Sequence, residues 1–506
     1  MKNGCLMIQG TASSVGKSLL CAALCRILKQ DGYRVAPFKS QNMALNSFVT
    51  FDGLEMGRAQ VMQAEAAGIE PLVEMNPVLL KPTSDQGSQV VVMGRPTGNM
   101  GAFEYLRWKE NLWPVIDEAY QKLKKDHDIM VIEGAGSPAE INLKESDLVN
   151  MGLAKRLQAP VLLVGDIDRG GVFASLYGTV ALLEDDERAL LKGVVINKFR
   201  GDPQVLEPGL GALEKLISIP VLGVLPMLKL KLDDEDSVTE RFTRRSGQGE
   251  LKVKVLLLPR ISNFTDFNPF ELFDDISLSY IREVAELDDP DLLILPGSKN
   301  TIEDLLFLRE NGWEEPLRNY ASSGGLLIGI CGGFQMLGRR ILDPHQVESS
   351  LPEIEGFGLL DFETVMEKEK STRQVEALWR YHDDNYFSQQ EEDELLRGYE
   401  IHMGRTDYGP VAHPLFVRTT GQVDGAINAA GNVFGTYLHG LFDNLTWTAN
   451  LLKAVRRRRN LPEKSDILPP TYREYKEREY DNLAAVVRES LDLNKIMQII
   501  KFGVRG

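Results

Sequence analysis

Cys331 has the surroundings of a reactive group. It lies in Gly329-Ile-Cys331-Gly332-Gly333-Phe-Gln335, where an apolar strand runs into G-x-C-x-G-x-Q and then into a helix. Glycines give room for a tight strand-to-helix turn that presents the thiol on an elbow, the cysteine counterpart of G-x-S-x-G. The helix N-terminus favours thiolate over thiol. Backbone N–H groups after the cysteine, at Gly332, can hold an oxyanion. The Leu295-Pro-Gly297-Ser298 loop offers a second donor. A thiol with an ordinary pKa near 8.5 needs a base at pH 7. Two histidines compete for that task. His439, in Thr-Tyr-Leu-His439-Gly-Leu, follows a buried-looking strand, and His402 lies in Gly398-Tyr-Glu-Ile-His402-Met-Gly-Arg405.

A second chemistry stands at the other end of the chain. Gly10-Thr-Ala-Ser-Ser-Val-Gly16-Lys17-Ser18 follows one apolar strand and opens a helix over Leu19–Leu28. Backbone N–H groups of such a loop close around phosphate, and the helix N-terminus adds partial positive charge. Lys17 can reach the β- and γ-phosphates, and the Ser18 hydroxyl suits Mg²⁺. Five residues separate the glycines, one more than in the usual pattern.

The elements that must position these groups are legible as short apolar runs. Six of them, Cys5–Gln9, Arg34–Phe38, Ile129–Ile132, Val161–Val164, Gly193–Ile196 and Val221–Leu225, alternate with helical stretches. This predicts an α/β, doubly wound, mostly parallel sheet with helices on both faces. A polar, acidic stretch then reads as a linker, 233–250, so the first domain is expected over 1–232. A second α/β series, Val253–Leu258, Leu292–Leu295, Leu326–Ile330 and Asn432–Tyr437, predicts a second domain over 251–447. Glu367–Glu394 is strongly polar and reads as an insertion or mobile hairpin. The remainder, 448–506, reads as a helical tail, with Leu483, Val487, Ile496 and Ile500 at helical spacing from Tyr472 onward.

Bulk properties exclude several classes. The 506 residues are 43% hydrophobic, in runs far too short to span a bilayer, so no membrane role is expected. Four cysteines without CxxC spacing argue against a disulfide framework or a zinc site. With no signal-peptide pattern at the start, the expectation is a cytoplasmic protein. A net charge of −16 would repel backbone phosphates, so nucleic acid is not an expected partner. The basic run Arg456–Arg459 reads as a solvated helix face. Self-association is left open.

The five-residue spacing of the phosphate loop resembles dethiobiotin synthetase and its relatives, in which ATP phosphorylates a carboxyl or carbamate group. The resemblance implies further roles. Lys39 would sit between nucleotide and substrate, Asp52 and Glu133 would be acidic Mg²⁺ ligands beside Ser18, and Asn197 would meet the adenine. Asp147 and the segment Asp166-Ile-Asp168-Arg169-Gly-Gly look too polar for sheet ends without a task. They would face ligand at the strand C-termini, or form a turn held by its own Asp side chain.

The second half resembles the flavodoxin-like class I glutamine amidotransferase domains, which release ammonia from glutamine at a Cys–His pair. On that resemblance Cys331 and His439 are the pair, and Gly297, Gly332 and Gln335 belong to the oxyanion and glutamine site. The family's usual third member, a glutamate two residues after the histidine, is replaced here by Leu441. Over nearly its whole length the chain is similar to the cobyric acid synthase family, through Phe38–Ser47, Asp52–Gln60, Lys81–Arg95, Asp166–Ser175 and Tyr472–Ile500. Gly398–Arg405 resembles a motif of that branch and reads as structural or domain-facing. The resemblance implies ATP- and glutamine-dependent amidation of the b, d, e and g carboxylates of a corrinoid, adenosylcobyrinic acid a,c-diamide, with Mg²⁺. A polyanionic acceptor would need local positive charge, and Lys39, Arg58, Lys81, Arg95 and Arg169 are expected to form a basic mouth. Two alternatives stand beside this. One is cobyrinic acid a,c-diamide synthase or a related fusion with another acceptor. The other is a partitioning-type switch ATPase, a class that carries a signature lysine early in its loop, where Thr11–Val15 has none, and that needs no Cys331.

Overall fold

The computed structural model describes residues 4–84, 87–228, 249–381, 394–462 and 471–505, with residues 232, 242, 386, 387 and 464 between them. The expected linker, 233–250, lies outside the described residues except for 242, 249 and 250. The chain divides into two compact units. One comprises Met1–Ala44, Glu55–Glu235 and Lys476–Gly506; the other comprises Leu45–Leu54 and Asp236–Tyr475.

In the first unit, among the described residues, six strands form one sheet. They are β1 (Gly4–Gly10), β2 (Val35–Phe38), β3 (Ile129–Glu133), β4 (Val161–Asp166), β5 (Leu191–Phe199) and β6 (Val221–Pro226), in the order β6-β5-β4-β1-β3-β2. Every pairing is parallel. Strands covered on both faces need apolar side chains on both, hence the unbroken runs in the sequence. β1 turns directly into the phosphate loop and the helix Lys17–Gln30, placing that loop at strand C-terminal ends. A smaller sheet of Gln41–Met43, Val78–Ser84, Gly87–Val92 and Arg95–Gly101 is an addition the apolar runs did not announce.

The helix Tyr472–Ser490 from Lys476 onward, and the helix Leu493–Phe502, complete this unit. Tyr480, Leu483, Ala484, Val487, Ile496 and Ile500 are buried in one core with Leu20, Leu24, Ile27 and Leu28 of the first helix. The contact is so close at Gly223 that a Cβ there would lie 2.1 Å from the Ser490 carbonyl oxygen. Arg26 fixes the register by ion pairs to Glu477 at 2.6 Å and Asp481 at 2.7 Å.

The second unit is built on one large sheet. Its parallel part holds β7 (Leu251–Leu256), β8 (Ile276–Ile281), β9 (Leu292–Leu295), β10 (Leu327–Ile330) and a later strand, Val433–Thr436, in the order β8-β7-β9-β10-(Val433–Thr436). An antiparallel extension follows: β11 (Phe362–Trp379), β12 (Leu395–Tyr408), β13 (His413–Arg418), β14 (Val423–Ile427) and β15, the Val433–Thr436 strand itself. Much of the polar stretch Glu367–Glu394 is therefore β-strand paired with β12; within it, 382–385 and 388–393 lie outside the described residues. Its charged residues Lys368, Glu369, Arg373 and Glu376 are exposed, which made a long strand look like an insertion.

The solvated face expected at Arg456–Arg459 holds for Arg457, Arg458 and Arg459, which are exposed, and is corrected at Arg456. Arg456 is 5% exposed, pairs with Asp275 and donates to the Pro462 carbonyl, and Arg459 pairs with Asp291 at 2.8 Å. Asp275 draws Arg456 in, while Arg459 stays exposed beside Asp291.

Candidate functional site

In the first unit the phosphate loop is held in shape by groups from neighbouring strands. Gly16 has φ 98°, and a Cβ there would lie 2.1 Å from Asn197 Nδ2, so both backbone and space require glycine. Gly10, ending β1, opens the loop. Lys17 Nζ donates to the Ala12 and Gly136 carbonyls at 2.9 and 3.1 Å. Asn197, on β5, donates to the Val15 carbonyl at 2.8 Å. Its amide thus braces the loop.

Glu133, at the C-terminal end of β3, is fully buried and gathers three side chains. Ser18 Oγ donates to it at 2.9 Å, Lys39 Nζ at 2.8 Å, and Gln63 Nε2 reaches its other oxygen. Ser18, Lys39 and Glu133 are therefore brought together beside Lys17. Hydroxyl and carboxylate are hard oxygen donors of the kind Mg²⁺ takes. Asp52, expected with them, falls in the Leu45–Leu54 segment of the other unit, where it is exposed and accepts from Thr50 Oγ1 at 2.5 Å.

The expected basic mouth is different in kind. Lys81 is 4% exposed and pairs with the buried Glu55 at 2.8 Å, and Lys39 is committed to Glu133. Arg58 is buried at the start of the helix Arg58–Ala67, while Arg95 and Arg169 are exposed. The polar segment Asp166–Arg169 follows the blander of its two readings: Asp166 Oδ1 accepts the Asp168 N–H at 2.9 Å, and Asp168 pairs with Arg200. Asp147 accepts three backbone N–H groups, of Val149, Asn150 and Gly152, and so shapes the start of a helix.

In the second unit β10 ends in the elbow. Cys331 has φ 52° and ψ −107° and begins the short helix Gly332–Leu337. The turn is crowded: a Cβ on Gly333 would lie 1.9 Å from the Leu295 carbonyl oxygen. A Cβ on Gly332 would lie 2.9 Å from Ser298 N, so the Gly297–Ser298 loop packs directly on the elbow. Gln335 is held inside, accepting from Thr301 Oγ1 at 2.9 Å and donating to Tyr437 Oη at 3.3 Å. It braces the elbow helix.

His439 follows β15, the strand paired to β10, and the two strands converge as expected from their burial. Its ring is 1% exposed and lies against Gly297 on one side, where a Cβ would be 3.3 Å from Cε1. Tyr399 of β12 stacks on it at 5.3 Å and 20°. Nδ1 is 2.7 Å from Asp266 Oδ2, and Asp266 Oδ1 accepts the Gly440 N–H at 3.1 Å. Burial alone would lower the imidazole pKa. The Asp266 carboxylate and hydrogen bonds with Asp266 and Cys331 outweigh it and raise the pKa to about 10. Asp266 was not singled out in the sequence. A signal was present: it is an acid within the apolar stripe Phe264, Phe267, Phe270, all fully buried.

His402, the rival, is engaged elsewhere. Its Nδ1 is 2.7 Å from the Gly404 carbonyl oxygen and its ring stacks on Tyr437 at 3.8 Å. The motif Gly398–Arg405 lies in β12 and backs the site: the Ile401 carbonyl is 3.7 Å from Cys331 Sγ, and Tyr399 exchanges backbone hydrogen bonds with His439 at 3.1 and 2.9 Å. Beside the His402–Tyr437 stack opens a cavity of about 370 Å³ lined by both signs of charge, including Arg373, Arg405, Arg418 and Asp424. Leu441, at the place of the family's usual glutamate, is buried and apolar.

Comparison with known proteins matches both halves. Residues 6–236 match the CobQ/CobB/MinD/ParA nucleotide binding domain, and residues 252–447 match the CobB/CobQ-like glutamine amidotransferase domain. A cobyric acid synthase of Clostridium botulinum (strain Loch Maree / Type A3) is 52% identical, over 98% of this chain and 99% of its own. Those of Alkaliphilus metalliredigens and Caldanaerobacter subterraneus subsp. tengcongensis are 52% and 50% identical over 98% of this chain and 99% and 98% of theirs. Among the described residues no helix is long and apolar enough to cross a membrane. With two matched domains and full-length relatives at half identity, the chain belongs to the cobyric acid synthase family.

Proposed function

We propose that this chain amidates the b, d, e and g carboxylates of adenosylcobyrinic acid a,c-diamide, using ATP to activate each carboxylate and glutamine as nitrogen donor. The carrying observation is the Cys331 elbow with His439 beside it, in a chain that also holds a braced phosphate loop. In the first unit Lys17 and the loop N–H groups hold ATP. Ser18 and Glu133 would hold Mg²⁺, which supplies positive charge beside the phosphates. The acceptor carboxylate takes the γ-phosphoryl group, giving an acyl phosphate and ADP.

In the second unit the Cys331 thiolate attacks the glutamine side-chain carbonyl. The oxyanion is met by backbone N–H groups at Gly332 and the Gly297 loop. The imidazolium of His439 gives its proton to the leaving ammonia, and water then releases glutamate from the thioester. The mixed-charge cavity beside Tyr437 suits the amino and carboxylate groups of a zwitterionic amino acid. Ammonia displaces phosphate from the acyl phosphate to give the amide.

The test is Cys331→Ala. Synthesis with glutamine is expected to vanish and synthesis with ammonium salts to remain near the parent rate. Failure of ammonium to support the folded variant would break the division of labour. Assaying cobyrinic acid beside its a,c-diamide separates this acceptor from that of the a,c-diamide synthase.

A further inference from the structure

We infer that Asp266 is the third member of the glutaminase site, a positioning residue that sets the tautomer and charge of His439 from a different stretch of chain than the one that supplies the histidine. The inference rests on the Cys331–His439 reading above and concerns what makes that pair competent.

Three observations carry it. The first is geometric. One oxygen of Asp266 is 2.7 Å from His439 Nδ1 and the other accepts the Gly440 N–H, so the carboxylate grips two successive residues. A proton held on Nδ1 leaves Nε2 as the nitrogen that exchanges a proton with the thiol. The second is burial. Asp266 and His439 are 5% and 1% exposed, and among the described residues the ion contact of Asp266 is with His439. A buried carboxylate left without a partner is strongly unfavourable. Imidazolium is the partner that satisfies it.

The third is that the loop bearing Asp266 is fixed from several sides. Asn263, at φ 52°, accepts from Ser47 N at 3.0 Å and donates to Tyr399 Oη at 3.3 Å. Phe264 N donates to Asn46 Oδ1 at 3.1 Å, and Phe264, Phe267 and Phe270 are fully buried. Tyr399, bonded to this loop, is the ring stacked on His439. The same small cluster thus aims the carboxylate and holds the imidazole plane. The titratable groups facing His439 are Asp266 from this loop, Cys331 from the elbow and Tyr399 from β12.

Asp266 acts through His439, so a loss of rate alone would not separate positioning from anchoring the loop. The alkaline limb of kcat/KM for glutamine does. With the carboxylate present the imidazolium persists to about pH 10. Without it the limb should fall by at least one pH unit toward that of an ordinary imidazole, near 6.5. The experiment measures glutamine hydrolysis against pH in the full-length parent, Asp266→Asn and Asp266→Glu, with ammonium-driven synthesis as the control for folding. Asp266→Asn is expected to lose on the order of 10⁴-fold in kcat, the loss known when an orienting carboxylate becomes an amide, and to shift the limb down. Asp266→Glu is expected to keep the limb in place with a smaller loss. Retention of kcat within threefold in Asp266→Asn overturns the proposal, as does an unmoved limb. If the asparagine variant does not fold, Asp266→Glu still decides: a limb shifted as far as for a missing carboxylate refutes it. Glutamine hydrolysis surviving in Cys331→Ala would instead strike the Cys–His reading itself.

Discussion

Lys81 was expected to meet a polyanionic substrate, yet the structure gives it a different task, and the two can be told apart by stability. Its ammonium is 2.8 Å from Glu55 Oε1, with the side chains 5% and 0% exposed. Replacing Lys81 by Met, of similar length, removes the charge and leaves the Glu55 carboxylate buried. Breaking one side of a buried pair costs about 3–5 kcal/mol. For a unit of this size each kcal/mol is worth roughly 2–4 °C, so the melting transition should fall by about 6–20 °C. Lys81→Met combined with Glu55→Gln removes both charges and should recover most of that loss, to within about 1–2 kcal/mol, because replacing a whole buried pair is often nearly neutral. The assay is thermal unfolding of the single and double variants, with KM for the corrinoid measured below the transition. A Lys81→Met protein that melts like the parent but shows a tenfold higher corrinoid KM would refute the structural assignment. So would a double variant no more stable than the single.

The other predictions are brief. Glu133→Gln should lower synthesis by about 100-fold or more with either nitrogen source, since charge stabilisation at the phosphoryl step is lost, while glutamine hydrolysis persists. Comparing the two assays over a Mg²⁺ titration checks it. Leu483→Ala, in the core that joins the tail helices to the first unit, should cost about 2–5 kcal/mol. Differential inactivation on heating should then show ATP-dependent synthesis failing before glutamine hydrolysis.

What could be read in the sequence follows from how each feature is encoded. The parallel strands were legible because burial on both faces demands unbroken apolar runs such as Leu292–Leu295. The elbow and the phosphate loop were legible because tight turns against backbone need glycine at fixed spacing. The small sheet around Lys81 was not, since strands such as Arg95–Gly101, with an exposed Pro-Thr-Gly-Asn stretch, have no apolar signature. Nor did spacing show that Lys81 would be consumed by Glu55, twenty-six positions away, or that Asp52 would group with the other unit. Charge on a sequence marks residues that must find a partner; whether that partner is a ligand or another side chain is settled only by the fold.

The substitution of Leu441 for the usual glutamate shows the same rule at the site itself. The family's usual glutamate two residues after the histidine would come from the same strand end as His439, and Leu441 leaves that place without an acid. The requirement on the imidazole is only that an anion lie in line with Nδ1 in a dry place, and any element that reaches there can supply it. Here the chain supplies it 173 positions upstream, from a loop whose phenylalanines lock its conformation. Leu441, freed of that duty, is 1% exposed and joins the apolar core under the loop. Introducing a glutamate at 441 would then bury a second carboxylate near one that already satisfies His439. It should destabilise the unit and fail to restore hydrolysis in Asp266→Asn, unless the new side chain reached Nδ1, in which case the position of the anion alone, and not its origin in the chain, is what the site requires.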